Sequence, residues 1–325
     1  MVEAELIGGQ CAYWAGIPSK TLLRTPEVRA EADRAQGVTS PELDWPDLRD
    51  YRDYMVRHLD DSAQVSAYAD QGVTVVKEAA VFTRPRTLEV SRRTLTAPNV
   101  IIATGSQPVI STIEGLADVP VWTNREATTL TDIPVRAVVV GGSAVGVELS
   151  TFLARFGTQV TLVQSADRLL DREDPRVGEL GRAQLSEAGV SVRTSTRANR
   201  ARQDGTDTVV TFDDGSDVRV RSHSHRRGPS TPHRGPGPGP PASASTTTAL
   251  SRSTSRAARG RGSGPSVTSP RSCRSPMSGC TRPGSRPTPS SVPRAANYEG
   301  IPRVVFGDPE IAAVGLTAEQ ALGRL

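Results

Sequence analysis

Lysine is nearly missing from this chain: Lys20 and Lys77 are the only two in 325 residues. Acidic residues vanish too, but only locally. From Arg221 to Ala296 there is no Asp, no Glu and no Lys, and the larger apolar residues are limited to Leu250, Val267, Met277 and Val292. Such a stretch cannot bury enough apolar surface to offset chain entropy, so disorder is expected. It also holds 13 arginines, more than the formal +4 of the whole chain. The remainder is therefore acidic, at about −9, and the basic pI says little about partners of the folded part. Cysteine occurs three times, as Cys11, Cys273 and Cys280, two of them in the odd segment, which excludes a disulfide framework. No apolar run approaches the ~18–20 residues that cross a bilayer, and no charged-then-apolar signal opens the chain. A cytoplasmic protein without membrane partners is the default expectation. Aromatic residues make up 4% of the chain and none lies between Arg221 and Ala296. That segment thus lacks the stacking residues of a nucleic-acid-binding tail, although its arginines could contact phosphate.

What is present on either side is patterned as α/β. The length allows two domains of ~100–200 residues. Residues 19–35 carry helical spacing at Leu22, Leu23, Val28 and Ala32, with Ser19 as a candidate cap. A second helix is expected from Trp45 to Tyr68, then short strands at 73–76, 87–90 and 100–103. Residues 135–140 read as a buried strand, followed by a glycine-rich turn, a helix over 147–156 and a strand over 159–163. That succession is one βαβ unit, the minimal dinucleotide-binding element. A helix over 177–188 and strands over 190–193, 208–212 and 218–220 follow, with Asp213-Asp214-Gly215 as a hairpin turn.

Four motifs carry the chemistry. The first is Gly8-Gly9-Gln10-Cys11, four residues, then Gly16-Ile17-Pro18-Ser19-Lys20. Taken singly, Cys11 reads as a small apolar residue and Lys20 as a solvated cation. The second is Gly141-Gly142-Ser143-Ala144-Val145-Gly146, a G-x-G-x-x-G turn with serine at the middle glycine, followed by Glu148. Such a turn brings the pyrophosphate of a dinucleotide to a helix N-terminus. At the end of the unit stands Gln164 where an NAD-preferring fold carries an acid, and Arg168 follows within reach of a 2′-phosphate, which leaves NAD and NADP both open. The third is Ala103-Thr104-Gly105 after an apolar run. The fourth is Phe306-Gly307-Asp308-Pro309-Glu310 through Thr317.

In that order and spacing the motifs resemble the pyridine nucleotide-disulfide oxidoreductases, the group of glutathione reductase, dihydrolipoyl dehydrogenase and mercuric reductase. The resemblance covers about residues 1–220 and 297–325. It implies FAD and NAD(P) as cofactors, no metal, and hydride passing from NAD(P)H through FAD to an unknown acceptor. It places Cys11 at the first redox cysteine, Lys20 near the flavin N5, and Glu148 as the carboxylate paired with Lys20. Glu3 corresponds to the acid on the adenosine ribose, and Ala103, Thr104 and Gly105 lie near the flavin. Residues 141–146 with Gln164 take the nicotinamide dinucleotide, and the fourth motif opens a dimerisation domain of a family whose members are homodimers.

Against this pattern the chain departs in several places. Gly16 stands where the second redox cysteine belongs, and a disulfide relay needs two sulfurs within bonding distance. The resemblance further implies that the first phosphate loop would precede Met1, that the flavin-ring Gly-Asp motif falls within 221–296, and that the catalytic His-Glu pair falls beyond Leu325. The expected organisation is therefore a truncated FAD-binding domain at 1–118, an inserted Rossmann-type NAD(P)-binding domain at 119–220, a disordered segment at 221–296, and the start of a dimerisation domain at 297–325. Family pattern on both sides of an acid-free, Arg/Ser/Pro/Gly-rich stretch fits GC-rich coding sequence read out of frame. Three readings follow: an impaired FAD/NAD(P)-dependent oxidoreductase, a non-catalytic remnant with a dinucleotide module, and a protein with an RNA-binding tail. Bound flavin colour separates the first two, and a salt-dependent RNA shift tests the third.

Overall fold

The computed structural model describes residues 1–221, 249–250 and 300–323. An N-terminal arm leads into two helices, α1 (Gly9–Tyr13) and α2 (Gly16–Arg34), which meet at a tight corner. Asn124 Nδ2 holds that corner by donating to the Trp14 carbonyl at 2.6 Å and to Gln10 Oε1 at 3.2 Å. Helix α2 starts three residues earlier than its apolar spacing suggests. Ser19 therefore lies inside it, buried, and does not cap it. The expected helix from Trp45 to Tyr68 is two helices, α3 (Trp45–Met55) and α4 (Ser62–Asp70). Between them Arg57, His58 and Leu59 all adopt positive φ, 50–59°, which no α-helix of L-residues sustains. Asp61 pins the arm beneath this break by accepting from the Ile7 amide at 2.7 Å and pairing with Lys77. Burial acts to raise the Asp61 carboxyl, but Lys77 and the Ile7 amide outweigh it and hold it below the ordinary range.

A small antiparallel sheet follows, β1 (Ala80–Arg84), β2 (Thr87–Val90) and β3 (Arg93–Thr96). Only β2 carries apolar residues at a strand period, which is why its neighbours were not expected. Two expected strands do not form. Residues 73–76 contribute a single bridge, Val2 to Val76. Residues 100–103 have no regular structure and Ile101 is 93% exposed, because no described strand lies alongside to pair with them.

The short helix α5 (Asn124–Thr128) has a Thr123/Glu126 capping box and leads into the expected βαβ unit. That unit comprises β4 (Arg136–Val140), α6 (Ala144–Arg155) and β5 (Gln159–Val163). Helix α7 (Pro175–Glu187), capped by Asp174 with proline at its first position, returns the chain to β6 (Ser191–Arg193). β4 and β5 pair in parallel and are largely buried, Val/Leu/Ala-rich runs, as covered parallel strands should be, while β6, parallel to β5, is partly exposed. A second antiparallel sheet packs nearby, β7 (Ala198–Asp204), β8 (Asp207–Phe212) and β9 (Asp217–Arg221), with the hairpin turn where expected.

The expectation of disorder over 221–296 lies outside the described residues at all but three positions. Arg221 closes β9 opposite Asp207, and Ala249–Leu250 form a two-residue strand, β10, parallel to β4. The last described segment contains β11 (Arg303–Val305), β12 (Ile311–Ala313) and α8 (Ala318–Leu322). It is not an appendage. Val305 and Ile311 are buried in the main core with Leu22 and Leu23 of α2, Leu48 of α3, and Phe152 and Leu153 of α6. One apolar cluster thus joins the N-terminal helices, the βαβ unit and the last segment.

Candidate functional site

Lys20 projects from the second turn of α2 and meets Glu148 of α6, 128 residues away in sequence. The Nζ–Oε2 distance is 2.6 Å. The other carboxylate oxygen, Oε1, accepts from the Phe306 backbone amide at 3.1 Å, and Lys20 Nζ lies 4.3 Å from the centre of the Phe306 ring. Glu148 is only 6% exposed. Burial pushes its carboxyl above the ordinary 4.5, and the Lys20 charge and the Phe306 amide act against that rise. The result is a cation, a carboxylate and a ring face drawn from three separate stretches, in a setting able to hold or pass one proton. Sequence reasoning had paired Lys20 with Glu148. It had not placed Phe306 there, because a backbone amide donor leaves no trace in residue type.

The glycine-rich turn between β4 and α6 shows why its residues are small. Gly141 has φ 110° and its amide donates to Val163 O at 2.8 Å, fixing the turn to the end of β5. A Cβ on Gly146 would lie 2.0 Å from Gly141 O, so α6 can approach the turn only with glycine there. A Cβ on Gly142 would lie 2.4 Å from Leu169 Cδ2. Ser143, at the middle-glycine position, has φ −76° and ψ 176°, an ordinary extended conformation that needs no glycine. Its hydroxyl is buried and has no partner among the described residues, and α6 has no side-chain N-cap. Ala144 and Val145 complete its first turn. An orphaned hydroxyl beside uncapped amides at the start of a 12-residue helix fits the pyrophosphate of a dinucleotide.

Gln164 is 4% exposed and turned inward: its Oε1 accepts from the Gly142 amide at 3.2 Å. Its carbonyl thereby braces the turn. Arg168 donates from Nη2 to Asp171 O at 3.1 Å. Glu3 accepts from the Glu5 amide at 2.8 Å, and Ala103, Thr104 and Gly105 are exposed, with no hydrogen bond joining them to Lys20, Glu148 or the glycine-rich turn. Cys11 is exposed on α1, and Gly16 is the first residue of α2. The structure thus brings together Lys20 and Glu148, and separately Gln164 with residues 141–146. Among the described residues no hydrogen bond joins Glu3 or residues 103–105 to either group.

Residues 1–223 match the pattern of the pyridine nucleotide-disulphide oxidoreductases. The chain belongs to that family. A mercuric reductase of Staphylococcus aureus is 28% identical over 214 residues, spanning 65% of this chain and 39% of that protein. A dihydrolipoyl dehydrogenase of Thermus scotoductus is 35% identical over 211 residues, spanning 63% of this chain and 45% of that protein. Among solved structures, the HOCl-induced flavoprotein disulfide reductase RclA from Escherichia coli superposes with a TM-score of 0.69 at 19% identity, over 97% of this chain and 71% of that one. The mixed α/β architecture is that of the family. The chain spans less than half the length of these two curated relatives. The Lys20–Glu148 contact is the feature that the first and second motifs jointly anticipated.

Proposed function

We propose that this chain is an FAD- and NAD(P)-linked oxidoreductase module that lacks a local disulfide relay. When bound, the cofactors would supply hydride transfer from NAD(P)H through FAD to an acceptor. The observation that carries the reading is the largely buried Lys20–Glu148 pair, capped by the Phe306 amide and ring, whose Glu148 lies on the helix that the glycine-rich turn opens. Ser143 and the first amides of α6 would hold the dinucleotide pyrophosphate, Gln164 would keep the turn in shape, and Glu148 would fix the Lys20 ammonium in one direction. The proposed division places the flavin-side residues in 1–118, the nucleotide-side residues in 119–220 and the start of a dimerisation domain in 297–325. No described helix is long and apolar enough to cross a membrane.

Cys11 stands without a second sulfur at Gly16, so a two-electron store cannot close there. That favours a second reading, a dinucleotide-binding module without turnover of disulfides. A visible spectrum of the purified full chain, followed by titration with NADH and NADPH, separates the two. A flavin spectrum that bleaches on addition of either nucleotide supports the oxidoreductase. Nucleotide binding without flavin supports the module. Steady nucleotide consumption with a disulfide substrate, abolished by Cys11→Ala, contradicts the absence of a relay.

A further inference from the structure

Two charge clusters grip the last segment from opposite ends of α2. At one end is the Lys20–Glu148–Phe306 cluster. At the other, Asp308 takes the guanidinium of Arg34 in a fork, Nη1 to Oδ2 at 2.7 Å and Nη2 to Oδ1 at 3.0 Å. Asp308 Oδ2 also accepts from Arg155 Nη2 at 2.6 Å. Lys20 and Arg34 both belong to α2, and Arg34 is its last residue; Glu148 and Arg155 both belong to α6, and Arg155 is its last. The same two helices are therefore each tied twice to one three-residue stretch, Phe306-Gly307-Asp308. Between the two clusters lies a cavity of about 420 Å³, lined by Arg24 and Glu27 along with residues of both. The stretch runs along this cavity, with Val305 and the Phe306 ring packed on the main core before it and Gln184 Nε2 donating to Pro309 O at 2.8 Å after it, so the two charge clusters set its direction and not its attachment.

We propose that Asp308 is a positioning residue for the Lys20–Glu148 site. The inference rests on reading that pair as the functional one. Phe306 follows β11 directly, which holds its backbone on one side, and the Asp308 contacts hold it on the other and so set where its amide points. A forked carboxylate–guanidinium contact fixes direction as well as distance. Arg155 adds a second donor that is largely shielded, with 17% of its side chain exposed. Releasing Asp308 frees the Phe306 amide from Glu148 and withdraws the ring from Lys20. Both changes alter the Lys20 ammonium without touching it.

The chain's two lysines make this directly observable. In full-length protein labelled with [13C,15N]lysine, Lys20 gives one of two ε-methylene signals, and the Phe306 ring face displaces it upfield of Lys77. Phe306→Leu should abolish that displacement. Asp308→Asn should abolish most of it, Arg34→Gln part of it, and Asp308→Glu should restore it at least partly. Arg24→Gln, which lines the same cavity but pairs with Glu27 and Glu31, should leave it unchanged. Arg34 is 59% exposed, so its variant keeps the test alive where Asp308→Asn fails to fold. A Lys20 signal moved by Phe306→Leu but not by Asp308→Asn or Arg34→Gln overturns the proposal, as does one that Phe306→Leu leaves in place. The signal is read without flavin or nucleotide. A failure of the proposed cofactor chemistry would therefore leave this result standing, and the reverse also holds.

Discussion

At the scale of single residues, Glu148 shows how two opposing effects set one carboxyl. Burial disfavours its charge; Lys20 at 2.6 Å and the Phe306 amide favour it, and burial has the larger influence. A carboxyl whose folded-state pKa is raised adds stability that is full below its ordinary 4.5 and lost as pH rises through the folded value. Lys20→Met removes the main opposing charge and leaves a buried carboxylate unpaired. Breaking a buried pair from one side costs on the order of 3–5 kcal/mol. The loss should be largest at neutral pH, where Glu148 must carry its charge or take up a proton, and should shrink as pH approaches 4.5. Urea unfolding of parent and variant at several pH values measures this. An equal loss at every pH would mean that Glu148 stays protonated in both. Gln164 is a second residue whose environment decides its part. Gln164→Leu leaves the Gly142 amide without its acceptor, and an orphaned buried donor costs about 1–3 kcal/mol. The same unfolding measurement detects it, and an unchanged midpoint would show that the turn does not depend on this brace.

At the scale of elements, the βαβ unit is where the sequence was most legible. Residues 135–163 carry a buried-strand run, a glycine-punctuated turn, a helical period and a second run, and every one of those signals agrees with the others. Helix α2 was legible in its apolar face but not in its start. Gly16 and Pro18 sit inside its first turn, where proline is tolerated and glycine is an unusual opener. Residues 100–103 misled for a different reason. Their apolar run fits a buried strand, yet strand formation depends on a neighbour, and sequence pattern does not report whether one lies alongside. Lys20 and Glu148 were legible as a pair through their motifs. Arg34 and Arg155 were not, being lone arginines at helix ends with no pattern around them. The glycine-rich turn yields the element-scale prediction. In Gly146→Ala the new methyl would sit 2.0 Å from Gly141 O, so α6 must move off the turn. Nucleotide affinity should fall at least tenfold, about 1.4 kcal/mol, while the helix itself persists. Calorimetric titration with NAD(P) and far-ultraviolet circular dichroism read the two consequences separately, and unchanged affinity would remove the pyrophosphate from this turn.

At the scale of the whole molecule, the last segment decides how far the parts act as one body. Val305 and Ile311 place it in the main apolar core, and Asp308 ties it to the ends of α2 and α6. Hydrophobic contact holds it near, and charge fixes its direction. The Arg34 hydrogen bond draws the Asp308 carboxyl below its ordinary 3.8, burial works against this, and Arg155 adds to it. For a carboxyl lowered in the folded state, the added stability is present above 3.8 and is lost as pH falls through the folded value. Asp308 above all, and more weakly Glu31 and Asp33 on α2, raise the Arg34 guanidinium above its ordinary range and keep it charged. Acid should therefore loosen the segment at its charged end before the apolar core releases it. The expected outcome is that parent and Asp308→Asn differ most in unfolding midpoint at pH 6, and converge as pH drops below 3.8. Other carboxylates, Asp61 among them, also lose stability in that range, but they do so in both proteins and cancel in the difference. A gap between the two proteins that stays constant down to the acid limit would mean that Asp308 contributes through packing alone, and that the charge pairs at the ends of α2 and α6 do not govern docking.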